Sequence, residues 1–428
     1  MRILIVTQVF PPEMGAQSNR LYPIVRKLVS AGHEVFVATG MPNYPQGVVF
    51  PEYRGKRIMR EEREGFTIFR TASFVTPRNK SKWAQLLNYL SFIPAAFLGG
   101  LRAGKVDVVF ITSPPIFSAL PALWLAKLRR ARLVFDIRDL WPDEIVACGA
   151  ASASSLSVRV ISAIEQRIYR IAACICCTTQ PFIETVVSRG ARRHETALIP
   201  NGADLEIFRP LPADNPIVRE YPFDERFVVM YSGVLGIKHG LEVVLESARL
   251  LQSENRIVFF VLGSGARREA LIKRAEKLEL KNILFSSGRD VAEVPYLLAR
   301  ADICLSSLLS DPYLEKIITV KVFEYLACGK PIVAAVSGET ARVLQESGGG
   351  IAVPPGDAHA LAEAIHSLYL DPKRRQAMGR LGRRYVQRNF SREASTEKLE
   401  KTLRKLCDSK QADDSVSQEQ WAQGPTLT

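Results

Sequence analysis

Four short stretches of this 428-residue chain hold residue types that act on phosphates, sugars or protons, and each follows an apolar run of strand length. The first is Phe10-Pro-Pro-Glu-Met-Gly-Ala-Gln-Ser-Asn. Two prolines stiffen its start, Gly15 permits close backbone approach, and Ser18 or Asn19 can cap the next helix, so the turn offers amide donors to an anion. The second is Asp136-Ile-Arg-Asp-Leu-Trp-Pro-Asp, where carboxylates crowd a guanidinium at a strand end. Such groups are costly to bury unless they are paired or used. A structural pair, Asp136 with Arg138 or Arg138 with Asp139, is therefore one reading, and a functional site is the other.

The third stretch, Tyr231-Ser-Gly-Val-Leu-Gly-Ile-Lys-His-Gly, carries Gly233, Gly236 and Gly240 as a flexible turn and Lys238 as a cation for phosphate; Gly263 and Gly265 open a similar turn after Leu262. In the fourth, Thr319-Val-Lys-Val-Phe-Glu-Tyr, Lys321 stands in the first turn of a helix with Glu324 three residues on, along one face. One helix start thereby presents amides and an ammonium to phosphates, and a turn later a carboxylate that can accept two ribose hydroxyls. Glu324 also reads as an ordinary surface residue, but its place between Phe323 and Tyr325 favours the site. A nicotinamide-binding fold would put a full glycine fingerprint after its first strand and an acid at the end of the second. That pattern is absent.

These turns need strands and helices to hold them. Short β-branched runs alternate with amphipathic stretches, which reads as βαβ units and parallel sheet. The first series has strands at 3–7, 34–39, 106–112, 132–137, 173–178 and 197–199, with helices such as 19–31, 117–130 and 157–172. A linker of Asn-Gly, Asp-Asn-Pro and Tyr-Pro pairs follows. The second series has strands near 228–232, 257–262, 283–286, 303–305, 332–335 and 350–353. The fold class is α/β: two doubly wound parallel-sheet domains facing a central cleft, with ligands beyond the carboxyl ends of the strands. The boundaries fall at 1–205, 206–383, a basic helix at 384–407, and a Ser-, Gln- and Asp-rich tail at 408–428 expected to be disordered.

Composition excludes fibrous, disordered and disulfide-scaffold classes, since 47% of residues are hydrophobic and 24% charged. The N-terminal run is too short for a secretory leader, so a cytoplasmic protein is expected. Cys174, Cys176 and Cys177 sit in an apolar run without histidines at ligand spacing, which reads as reduced, buried thiols and no metal site. The net charge of +13 suits nucleic acid, anionic lipid or small anions. The segment Arg78 to Lys105 decides among them: Trp83, Leu86, Leu87, Tyr89, Leu90, Phe92, Phe97 and Leu98 lie between basic flanks. That composition suits a membrane surface rather than nucleic acid. Pro94 and Gly99-Gly100 argue against a spanning helix, and a core helix with basic ends is the alternative.

Taken together, Ile199-Pro-Asn-Gly-Ala-Asp with Phe208, Asp136-Ile-Arg-Asp-Leu-Trp-Pro and Phe323-Glu-Tyr-Leu-Ala-Cys-Gly-Lys-Pro resemble the retaining glycosyltransferases of the GT-B fold, family four. The likeness is greatest to the branch that builds O-antigen and capsule, including N-acetylfucosamine-type transferases, and it covers about Met1 to Arg404. It implies an acceptor-binding N-terminal Rossmann-like domain, a donor-binding C-terminal one, and a last helix that crosses back. It also implies transfer of a hexosyl or N-acetylaminosugar group from a nucleotide-sugar, UDP-sugar favoured, to a glycan or polyprenyl-diphosphate-linked acceptor. No cofactor or obligatory metal is implied. Lys238 would contact the donor diphosphate, Glu324 the ribose, and the Gly15 loop the donor phosphate or the acceptor.

The candidate donor site is then Gly15, Gly233, Lys238, Gly263, Gly265, Lys321 and Glu324, the candidate acceptor site Asp136 and Trp141, and the candidate catalytic groups Asp139, Arg138 and Lys238. The chain departs from the family pattern at three places. Lys316 stands eight residues before Glu324, where many members have a second glutamate, although Glu315 is adjacent. Val234 replaces a common arginine, and Arg138-Asp139 a common histidine-aspartate pair. Two rival readings remain at this stage: a nucleotide-sugar 2-epimerase of similar fold, and a non-catalytic subunit at the inner face of the cell membrane.

Overall fold

The alternating apolar runs close into two parallel sheets. The computed structural model describes residues 1–422 except Met14, Pro45, Arg78, Asn79, Lys80 and Asp224, with side chains for all of these but Ala16, Lys82 and 409–422. The chain forms two compact units: Met1–Ile145 with Ala151–Ile199 and the chain from Thr396 onward, and Val146–Ala150 with Pro200–Ser395.

The first unit is built on β1 (Arg2–Val6), β2 (Glu34–Gly40), β3 (Ile58–Arg63), β4 (Phe66–Thr71), β5 (Val108–Ser113), β6 (Arg132–Ile137), β7 (Cys174–Cys177) and β8 (Thr196–Leu198). Their spatial order is β3-β4-β2-β1-β5-β6-β7-β8. Every neighbouring pair is parallel except β3 with β4. The central strands are buried along their length because helices cover a parallel sheet on both faces. The hairpin β3–β4 is absent from the sequence expectations. Its outer strand, Ile-Met-Arg-Glu-Glu-Arg, is mostly exposed and charged, as suits a sheet edge, and carries no apolar alternation to read. All seven cysteines are free thiols.

Helix α1 (Ala16–Ser30) follows β1, α2 (Lys82–Leu101) follows β4, and α3 (Ala119–Arg129) follows β5. The glycine pair in α2 does not interrupt the helix. A Cβ on Gly100 would lie 2.4 Å from Leu125 Cδ1, so the missing side chains admit α3. The segment also resolves the choice between an interfacial and a core helix, because it has both characters. Phe92, Ala95 and Ala96 are buried, whereas Trp83, Leu87, Leu90 and Leu98 are exposed. Among the described residues, Trp83–Leu101 is the helix long and apolar enough to cross a membrane. Of the flanking cations, Arg78 and Lys80 lie outside the described residues.

The second unit carries β9 (Phe227–Ser232), β10 (Ile257–Leu262), β11 (Ile283–Ser286), β12 (Ile303–Ser307), β13 (Ile332–Ala335) and β14 (Gly350–Val353). Their order is β11-β10-β9-β12-β13-β14, all parallel. This is the doubly wound arrangement in which successive strands are added on one side of β9 and then on the other, and the turns after β9 and β12 frame the switch point.

The helix Pro372–Asn389 belongs to the second unit, and the chain joins the first only at Thr396, later than the expected position 384. Local packing explains the shift: the Phe390 ring stacks on Phe323 at 4.5 Å, and Ala203 bridges Ser391. The final helix, Arg392–Ala422, continues through the residues 408–422 expected as a disordered tail, with no glycine or proline before Gly424. The rest of that tail, 423–428, lies outside the described residues. Leu399 and Leu403 enter the first unit's core, Glu400 meets His33 at 2.9 Å, and Arg404 reaches the Ala31 carbonyl at 3.1 Å. Replacing Leu403 with Ala should cost about 2–5 kcal/mol of stability, read from the urea midpoint of the full chain.

Candidate active site

In the second unit, the turn after β9 and the helix Val320–Ala327 meet at one cation. Tyr325 fixes them together: its hydroxyl accepts from the Ser232 amide at 2.8 Å and donates to the Ser232 carbonyl at 2.9 Å. Lys321, in the first turn of that helix, then lies with its ammonium 3.8 Å from the centre of the Tyr231 ring. Its Nζ is buried and has no hydrogen-bond partner among the described residues. Gly233 makes the room, since a Cβ on it would come within 2.8 Å of that Nζ, and its φ of 143° also suits glycine. Thr319 caps the helix without a side-chain bond to its first amides.

The surroundings of Lys321 oppose its charge. Burial pushes its ammonium down to about 7, with Glu324 acting against the shift and Lys238 adding to it. Burial, with Lys321 and Lys238 nearby, pushes His239 down to about 2, so the imidazole stays neutral. Glu324 is raised by burial against the pull of Arg392 and Lys321. Two lysines thus stand close enough to repel in a partly dry turn, opposed by one carboxylate that is itself reluctant to ionise. Such an arrangement is relieved by an anion.

Gly263 and Gly265 serve the same turn from behind. A Cβ on Gly263 would lie 1.9 Å from the Gly233 carbonyl oxygen, and one on Gly265 would lie 2.5 Å from that of Leu235. Their glycine requirement is therefore explained by one loop lying against the other. Lys238 is half-buried, and its carbonyl accepts from the Leu309 amide at 2.9 Å, tying the turn after β9 to the chain after β12. Glu315 is exposed, with its Oε1 accepting from Ser337 at 3.1 Å.

In the first unit, Asp136 differs from the acceptor-binding role expected of it. It is fully buried, and Arg20 grips it through two bonds of 3.0 and 2.6 Å while Thr112 donates at 2.9 Å. Its hydrogen-bonded partner is not Arg138 but Arg20, a residue of α1 that the sequence reading did not single out. Losing one member of such a pair costs about 3–5 kcal/mol, which makes Asp136 an internal anchor. Arg138 instead donates to Thr112 Oγ1 at 3.1 Å and to the Pro114 carbonyl at 2.8 Å, and burial holds its guanidinium below its usual range. Asp139 is half-buried beside it, and its charge acts on Arg138. Trp141 meets Tyr89 and Phe117 edge-on at 6.0 and 6.3 Å.

The Gly15 turn is organised by a second residue the sequence reading missed. Buried Glu13 accepts from the amides of Phe10, Asn43 and Tyr44 at 3.1, 2.9 and 2.9 Å, joining the turns after β1 and β2. Burial raises its carboxyl, and the three amides and Arg70 oppose the shift. Gly15 packs against Tyr44, whose ring a Cβ would approach to 2.8 Å. Gln17 Nε2 and Ser18 Oγ are buried without hydrogen-bond partners among the described residues.

Two Rossmann-like units, each with its polar turns at the carboxyl ends of parallel strands, define a GT-B protein. Comparison with known proteins bears this out. The glycosyl transferase 4-like domain matches residues 15–202, and the domain of glycosyl transferases group 1 matches residues 215–385. The chain belongs to this glycosyltransferase family. It is 28% identical over 404 residues to the putative colanic acid biosynthesis glycosyl transferase WcaI of Escherichia coli K12, covering 92% of this chain and 97% of that one. It is 26% identical to the probable glycosyltransferase WbjE of Pseudomonas aeruginosa, covering 71% and 76%. Sucrose-phosphate synthase from Thermosynechococcus elongatus superposes with a TM-score of 0.76 at 21% identity, covering 95% of this chain and 99% of that chain. Anabaena HepE in complex with UDP-glucose superposes with a TM-score of 0.70 at 16% identity, covering 95% and 100%.

With burial pushing its ammonium down to about 7, Lys321 should be largely neutral at pH 8, and a bound diphosphate would draw it back to the charged form. Binding of a nucleoside diphosphate at pH 8 should therefore take up a proton. Calorimetry in buffers of different ionisation heat checks this; the uptake should vanish in Lys321→Met.

Proposed function

We propose that this enzyme is a retaining glycosyltransferase that moves a sugar from a nucleotide-sugar, with a UDP-sugar favoured, to a lipid-linked glycan during surface-polysaccharide assembly in the cytoplasm. The observation that carries the donor half is the buried, unpartnered ammonium of Lys321 between the Tyr231 ring and the Gly233 turn. A diphosphate there would be held by Lys321, by Lys238 and by the uncapped amides of the helix Val320–Ala327. Glu324, three residues along the same helix, would accept the ribose hydroxyls. UDP is favoured because HepE is crystallised with UDP and UDP-glucose, although a relative at 22% identity is a GDP-mannose-dependent mannosyltransferase. The polysaccharide context follows from relatives assigned to colanic acid, teichuronic acid and lipopolysaccharide core biosynthesis.

In the reaction, the acceptor oxygen forms a bond to the sugar's anomeric carbon while the bond from that carbon to the diphosphate oxygen breaks. Retention requires both events on one face, as the family resemblance implies, and the departing diphosphate takes the acceptor's proton. Fixed cations and amides stabilise the charge that develops on the leaving group. Asp139 orients the acceptor hydroxyl, with Arg138 holding the turn it stands on. This scheme needs no metal.

The lipid-linked acceptor is supported by the outer face of α2. Trp83, Leu87, Leu90, Pro94 and Leu98 recur at helical spacing and are exposed, Trp83 at 80%. Trp124 and Leu128 of α3 are exposed as well, and Arg102, Lys105, Lys127 and Arg130 supply exposed cations around them. Tryptophan and leucine beside lysine and arginine suit an anionic bilayer surface, which we take as the occupant of this face.

Two measurements test the reading. A panel of nucleotides and nucleotide-sugars should raise the melting temperature with uridine species, and the shift should be lost in Glu324→Ala; a flat panel would remove the donor site. Flotation with vesicles containing anionic lipid should carry the wild-type protein. A Trp83→Ser, Leu87→Ser double variant should stay behind by about tenfold or more, given the apolar area removed.

A further inference from the structure

The inner face of α2 lines a pocket of the first unit, formed with the turns after β1 and β2; its walls include Gln8, Asn43, Tyr44, Gln85, Asn88 and Tyr89. At 100° per residue, Gln85, Asn88 and Tyr89 lie on the side of the helix opposite Trp83, Leu87, Leu90 and Leu98. None of the described lining residues is charged. Their amides are held in place: Gln8 donates to Asn88 Oδ1 at 2.7 Å, Asn43 to the Met41 carbonyl at 2.9 Å, and Gln85 to the Tyr89 hydroxyl at 3.2 Å. Asn88 in turn donates to the Phe74 carbonyl. Tyr89 stacks on Phe117 at 5.7 Å and touches Trp141, so the pocket borders the Arg138–Asp139 turn.

Oriented amides and phenols without charge match the hydroxyl and acetamido groups of a neutral pyranose, each of which can donate and accept. The distance from the bilayer decides which pyranose. A helix with its side chains is about 10–12 Å across, so a pocket on one side of α2 lies about as far from a surface that the other side touches as the carrier's diphosphate and its first sugar together reach. Resting on the lipid-linked reading above, we propose that this pocket seats the sugar attached directly to the lipid carrier. The acceptor is then a short lipid-linked saccharide, delivered by the transferase that first joins a sugar to the carrier, rather than a long polymer extending from the membrane.

The test is binding of the full chain to anionic vesicles that display polyprenyl diphosphate, the same carrier bearing one neutral sugar (glucose, galactose or their 2-acetamido analogues), or the carrier bearing a pentasaccharide. We expect at least one monosaccharide carrier to tighten binding about tenfold over the bare carrier, with no further gain from a pentasaccharide that begins with the same sugar. Asn88→Ala and Gln85→Leu should each lose most of that gain, as removal of a bonding partner predicts, while binding plain anionic vesicles like wild type. Two variants guard against misfolding, and the uridine-nucleotide melting shift reports whether each retains its donor unit. If the protein binds vesicles but no monosaccharide carrier adds affinity, or if both folded variants keep the gain, the inference fails while the membrane reading stands. If vesicles do not bind at all, the membrane reading falls and takes the inference with it.

Discussion

A parallel strand buried on both faces favours apolar side chains, so in both units the candidate polar residues gather toward the carboxyl ends of the sheet. β5, β9 and β10 are buried at every position. The chain turns at their carboxyl ends, and successive strands are added on one side of β1 and β9 and then on the other. Every polar group that distinguishes this molecule, from Glu13 and Asp136 to Lys321, stands in or directly beside such a turn. Because packed sheets hold these turns rigidly, side chains there can be left without partners in a way a mobile loop would not sustain.

The two units use buried charge in opposite ways. Arg20 and Asp136 satisfy one another completely, with Thr112 and the Ile199 carbonyl taking further bonds, so the pair ties α1, β5, β6 and the end of β8 into one body. Lys321 is as dry at its ammonium but has no hydrogen-bond partner among the described residues, with the Tyr231 ring beside it and Glu324 acting on its charge. The first arrangement is satisfied within its own unit. The second leaves its ammonium without such a bond, and burial first, with the neighbouring lysines adding to it, pushes Lys321 and His239 down.

Helix α2 shows how one element can carry two surfaces. Its glycines let α3 and β4 approach, its middle fills the core, and its two ends of the amphipathic scale are reversed from the usual order: the exposed stripe is apolar and the pocket side is amide-rich. The reversal follows from position, since the N-terminal half of α2 lies beside polar turns, where strands end, rather than over the sheet.

The sequence alone determined where the strands run and where the turns fall. Arg132–Ile137, Ile257–Leu262, Ile283–Ser286, Ile332–Ala335 and Gly350–Val353 match their predicted runs, and of these Ile257–Leu262 and Ile332–Ala335 are buried and apolar throughout, as strands covered on both faces are. It also determined that Lys321 and Glu324 share a helix face, since their spacing is local. The edge strand β3 was illegible because it buries little, and the spans of the last two helices were blurred because propensity continues across Phe390, where packing on Phe323 does not. Only the tertiary structure decided which charge would find a partner. Asp136 meets Arg20 from 116 residues away, and the Lys321 ammonium finds no hydrogen-bond partner among the described residues, because such pairings depend on how elements distant in sequence come together rather than on any local pattern.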